Sequence, residues 1–116
     1  MFVVGRVKDM IRTGGETVAP AEVDVVLGRH PAVADGAVAG VPHVDWGEVV
    51  TAFVVLAPGQ TLDLDEVRRH CAEASLSAYK HPRQLVLVDA IPRTGPTGQV
   101  QRRRLVEIAQ REGPGA

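Results

Sequence analysis

The sequence predicts an α+β domain: a small three-stranded sheet packed with helices and preceded by an N-terminal β-hairpin. Three observations carry this. Runs rich in Val and Ala alternate with segments at helical spacing, in the order hairpin, α, β, β, α, β, α. A Gly-Gly pair divides two β-competent runs near the N-terminus. One run, Val49 to Leu56, is apolar almost without interruption, as in a central strand covered on both faces.

The elements follow in chain order. Phe2 to Val18 reads as two extended pieces around Thr13-Gly14-Gly15, because glycine tolerates the positive φ a tight turn needs. Pro20 suits the first turn of a helix, and Val23, Val26 and Leu27 recur at i, i+3, i+4. Gly28 and then His30-Pro31 stop it. Val33 to Val41 is the next strand, Pro42 to Gly47 a loop, and Pro58-Gly59 closes the central strand. Asp63 is an N-cap with Glu66 three residues on, as in a capping box. Leu64, Val67, Cys71 and Ala74 form that helix's apolar face, so Cys71 reads as core. Leu85 to Val88 is the third strand, Ile91 to Gly98 a loop, and Leu105, Ile108 and Ala109 carry a last helix. The domain is expected over residues 1–112, with 113–116 as a frayed tail.

Composition narrows the class. The 116 residues suit one domain. An apolar share of 45% excludes a disordered chain, and 3% aromatics leave the core to Val, Leu, Ile and Ala. A lone cysteine excludes an internal disulfide and fits a reducing compartment. No apolar run nears the ~20 residues that span a bilayer, and Met1 to Gly5 is too short for a signal-peptide core. A cytoplasmic protein is expected. The net charge of −1 points to no nucleic-acid partner. Two basic clusters stand out nonetheless: Lys80-His81-Pro82-Arg83 and Arg102-Arg103-Arg104. Three arginines opening a helix read first as a solvated face, with a phosphate ligand as the alternative.

Three segments say more. Gly5-Arg6-Val7-Lys8-Asp9-Met10-Ile11-Arg12-Thr13-Gly14-Gly15-Glu16 leads into Pro20-Ala21-Glu22-Val23. His43-Val44-Asp45-Trp46-Gly47-Glu48 follows. Tyr79-Lys80-His81-Pro82-Arg83 is then succeeded by Ile91-Pro92-Arg93-Thr94, Thr97-Gly98 and Arg102-Arg103-Arg104-Leu105. In this order they resemble the C-terminal domain of acyl-CoA synthetases, members of the acyl-adenylate-forming, AMP-binding superfamily that includes fatty-acid–CoA ligases. The resemblance runs from Gly5 to about Leu105.

It implies a mobile lid closing over a large N-terminal adenylation domain that binds ATP, its Mg2+ and the carboxylic acid. The acid attacks ATP to give acyl-AMP and pyrophosphate; the lid then rotates, and coenzyme A displaces AMP. By motif position Lys8 is the hinge residue, flanked by Arg6 and Asp9. A charged hinge stays solvated in both orientations. Gly14 and Gly15 would line the pantetheine channel, where a missing Cβ lets backbone lie against a slender ligand. Trp46, the only tryptophan, would stack on the CoA adenine; a packing role is the alternative. Tyr79, Lys80, His81 and Arg83 would face the CoA nucleotide and its phosphates through charge-assisted hydrogen bonds. No metal ligand set is read in the chain, and neither ATP nor CoA would be bound tightly by it alone.

One departure matters. Where the family carries a catalytic lysine after Thr-Gly, this chain has Gln99, in a loop one residue longer than usual. The lysine's ammonium offsets charge on the carboxylate and α-phosphate; a glutamine amide donates a hydrogen bond without charge. Three readings stand open: weakened adenylation with the thiol-transfer half intact, replacement by Arg93 or Arg102, or an altered partner reaction. Two other functions remain beside the CoA-ligase lid. One is the lid of a carrier-protein-directed adenylation domain; the other is a stand-alone, non-catalytic module binding a nucleotide or partner. In every case the isolated chain is expected to be inactive, and the acid is not specified.

Overall fold

The computed structural model describes residues 10–45, 47–95 and 98–112. Strands β1 (Ile11–Thr13) and β2 (Glu16–Val18) form the expected hairpin, closed by Gly14 and Gly15 at φ 56° and 84°. Helix α1 (Pro20–Gly28) starts with its proline in the first turn and buries Pro20, Val23, Val26 and Leu27. Strand β3 (Val33–His43) pairs antiparallel with β4 (Gly47–Leu56) along its whole length, with a bulge between Val33 and Asp35. Strand therefore takes in Pro42, His43 and Gly47 of the loop expected over 42–47. Pro42 is tolerated because β3 is an outer strand, where a missing N–H breaks no ladder bond.

Helix α2 (Leu64–Glu73) is capped as expected, the Asp63 carboxylate accepting from the Glu66 N–H at 2.8 Å. The Glu66 carboxylate turns to His30 Nε2 at 3.0 Å. His30 Nδ1 accepts from the Ala32 N–H at 3.0 Å, so the ring proton sits on Nε2 and points at Glu66. His70 Nε2 donates to the Val26 carbonyl at 2.7 Å, a second tie between α1 and α2. A 3₁₀ turn (Ala78–Lys80) leads into β5 (Gln84–Leu87), parallel to β4. A ribbon of β6 (Arg93–Thr94) and β7 (Gln99–Val100) then precedes α3 (Arg102–Glu112).

The main sheet has five strands, not three. The hairpin does not precede it but belongs to it, since Thr13 of β1 pairs with Gly47 of β4. With β3 along one side of β4, β1 and β5 share the other. The loop expected over 91–98 likewise contains a strand, β6, whose partner β7 follows it directly. Runs of residues reveal strands, whereas pairing depends on segments distant in sequence. The central-strand reading of 49–56 holds: Val50, Ala52 and Val54 join a core with α1 and α2, while Val49 and Phe53 join another with Leu105 and Ala109 of α3. Cys71 is fully buried in the first core, and that burial pushes its thiol pKa up.

Candidate functional site

The hairpin turn is held by a strut across the sheet. Glu48, on β4, accepts from the Arg12 N–H of β1 at 2.9 Å. Its path runs over Gly40 of β3, where a Cβ would stand 2.8 Å from Glu48 Oε1 and 3.0 Å from Ile11 Cγ2. Glycine at position 40 thus makes the room that lets Glu48 fix β1. Next to the turn, Thr13 is 5% exposed and its Oγ1 has no hydrogen-bond partner. A Cβ on Gly15 would meet no atom within 4 Å, so open space adjoins the turn. Trp46, read as an adenine contact, and Arg6, Lys8 and Asp9, read as the hinge, lie outside the described residues, as does the 113–116 tail.

The basic cluster sits beside this hairpin, since the 3₁₀ turn packs against β2. Tyr79 is 37% exposed, and Lys80 Nζ lies 5.7 Å from its ring centre. Lys80 is paired within the domain: Nζ reaches the two carboxylate oxygens of Glu22 at 2.9 and 3.1 Å. The hydrogen bond to Glu22 holds its pKa above the ordinary lysine value. His81 Nε2 donates to the Leu76 carbonyl at 3.0 Å and braces the turn. Arg83 is exposed, with its N–H bonded to the Val50 carbonyl at 2.8 Å. Gly14, Gly15, Tyr79, Lys80, His81 and Arg83 therefore lie along one edge of β4, that of the hairpin and β5.

The ribbon that carries residue 99 is tied to β3 through Arg93. Gln99 opposes Thr94 in the β6–β7 ribbon. The Arg93 guanidinium donates to Asp35 at 2.6 Å and to the Gly98 carbonyl at 3.2 Å. Arg102 binds both Asp24 oxygens, at 2.8 and 3.4 Å, and the Val38 carbonyl at 2.8 Å, while Asp24 accepts from the Val38 N–H at 2.8 Å. Both cations considered as stand-ins for the family lysine are thus engaged by carboxylates of the domain itself. Arg102 leaves the solvated face expected for the triple arginine; Arg103 and Arg104 stay exposed. Sequence reasoning missed Glu22, Asp24, Asp35 and Glu48 as partners. Three acids 58 to 78 residues from their cations give no local signal.

Residues 22–97 match the AMP-binding enzyme C-terminal domain family. The chain belongs to that family. This AMP-binding C-terminal domain is 44% identical over 108 residues to a 4-chlorobenzoate–CoA ligase of Arthrobacter sp, covering 92% of the chain and 20% of the ligase. It is 41% identical over 105 residues to the fatty acid–[acyl-carrier-protein] ligase ScoC of Streptomyces coeruleorubidus, covering 90% of the chain and 20% of ScoC. The Brucella canis acyl-CoA synthetase structure superimposes with a TM-score of 0.79 at 38% identity, over 93% of the chain and 20% of the synthetase. The domain spans about a fifth of the length of these relatives. Among the described residues no helix is long and apolar enough to cross a membrane.

Proposed function

We propose that the chain serves as the mobile C-terminal domain of an acyl-CoA synthetase, converting acid, ATP and CoA into acyl-CoA, AMP and pyrophosphate with an N-terminal adenylation domain. The observation that carries this is the near full-length likeness to one fifth of CoA ligases. In this reading the hairpin side, with Gly14, Gly15, Tyr79, Lys80, His81 and Arg83, receives CoA and serves thioester formation; Trp46 stacks on the adenine. The ribbon side presents residue 99 during adenylation, and the swing occurs at Arg6, Lys8 and Asp9. The hairpin and β5 lie along one edge of β4 while the ribbon is tied through Arg93 to β3 on the other, and that separation supports this division. Gln99 supplies no charge to the adenylation transition state, so that half-reaction is slow while thiol transfer persists.

Lys80 has a particular consequence here. Its ammonium must exchange Glu22 for a CoA phosphate, so Glu22 competes with the ligand. The likeness to ScoC supports a second reading, in which the thiol belongs to a carrier protein.

Grafting the chain onto the Arthrobacter 4-chlorobenzoate–CoA ligase in place of its own C-terminal fifth tests the proposal. Thioester should form from preformed acyl-adenylate and CoA. Pyrophosphate release should be slow and rise by about 10²-fold or more in Gln99→Lys, the usual scale for one preorganised electrostatic contact. Thioester formed with a phosphopantetheinyl carrier and not with CoA selects the second reading. A graft inert in both halves refutes the first.

A further inference from the structure

We propose that Asp35 is a positioning residue for the adenylation half-reaction, acting through Arg93 on the ribbon that carries residue 99; this rests on the reading of the chain as an acyl-CoA synthetase C-terminal domain.

The argument begins with how little the ribbon owns. Its strands are two residues each, and Gly95 and Gly98 adopt φ of 74° and 69°. A pair this short has no independent stability in water. Its direction must come from anchors; beside the packing of Ile91 and Val100 on the second core, the described residues supply three that are hydrogen-bonded. The Gln101 N–H closes the base on the Pro92 carbonyl at 2.8 Å. Arg102 holds the exit at Asp24 and Val38. Arg93 joins the sheet and the turn, one nitrogen on Asp35 and the other on the Gly98 carbonyl.

Of the three, only the Arg93 contact reaches the turn next to residue 99. The planar fork of a guanidinium fixes two acceptors at once, which a lysine ammonium on the same stem does with far less directional control. Asp35 is itself aimed. It follows the bulge in β3, a device that redirects side chains, and its Oδ1 also accepts from the Gly36 N–H at 2.9 Å. The chain of contacts thus runs from a fixed strand through one carboxylate and one guanidinium to the carbonyl preceding residue 99.

The pair adds little to the stability of the fold. Both side chains are 39% exposed, and exposed ion pairs contribute little to stability. A role in stability and a role in aiming therefore predict different results.

The experiment uses the grafted ligase carrying Gln99→Lys, with Asp35→Asn or Arg93→Lys added. Asp35→Asn keeps an acceptor for Gly36 and removes the charge; Arg93→Lys keeps the charge and loses the fork. Each should lower the kcat of pyrophosphate release about 10-fold, as expected when a reacting group is misplaced by a fraction of an ångström. Each should leave thioester formation from preformed acyl-adenylate unchanged and move the melting temperature by no more than a few degrees. Hydrogen exchange at the Gln101 amide should quicken in both. Unchanged pyrophosphate release overturns the proposal, as does an equal loss in both half-reactions, which marks a structural role. A graft without either half-reaction before Asp35 or Arg93 is touched refutes the underlying reading instead, a distinct result.

Discussion

Thr13 carries a hydroxyl that folding strips of water and leaves without a partner. Such a group costs about 1–3 kcal/mol relative to a satisfied one. Thr13→Val, which keeps the shape and removes the polar atom, should raise unfolding free energy by about 1 kcal/mol in urea titration. Gly40 predicts the opposite. A methyl there meets Glu48 Oε1 at 2.8 Å and Ile11 at 3.0 Å, so Gly40→Ala should cost about 1–3 kcal/mol, the usual penalty for overpacking. Lys80 adds a pH dependence whose sign is fixed by its partner. Its folded pKa lies above the ordinary lysine value, so the stability it contributes with Glu22 is complete below that value and lost as pH rises through the folded pKa. Melting curves across that window should fall less steeply in Glu22→Gln. None of these residues could be paired from the sequence, because Glu22 and Lys80, or Arg12 and Glu48, meet only after the sheet has formed.

The single elements were far more legible. Pro20 and the Val23, Val26, Leu27 spacing located α1, and Asp63 located the start of α2, because caps and periodicity are local. What local signals lacked was partnership. The β6–β7 ribbon looked like a loop because two-residue strands have no pattern to detect, and the hairpin looked separate because one pair, Thr13 with Gly47, joins it to β4. Arg102 shows the same limit: three adjacent arginines gave no sign that the first turns inward to Asp24. Side chains of this pair are 20% and 18% exposed. Removing one partner of a fully buried pair costs about 3–5 kcal/mol; partial exposure brings Arg102→Ala to about 2 kcal/mol, measurable by denaturant unfolding.

At the scale of the molecule, β4 organises everything, since it pairs with β1, β3 and β5 and contributes to both cores. The family was readable because its motifs fall in turns and loops that stay in register along the chain. The resemblance implies a two-sided arrangement, which the grafted ligase tests one half-reaction at a time. The expectation that adenylation needs a second domain has a direct check: the chain alone should release no AMP from ATP with a carboxylic acid and CoA.

The Asp24–Arg102 contact also bears on how copies of this domain behave in company. Strand β3 is the outer strand over its 11 residues, and Val38 is where two side chains occupy its outward N–H and carbonyl. Unplugged, those groups become a template for strand addition by a neighbouring molecule. Arg102→Ala, at concentrations where the parent protein stays clear, should scatter light and bind amyloid dyes on prolonged incubation. The clasp that ties helix to strand would then also be a guard against self-association.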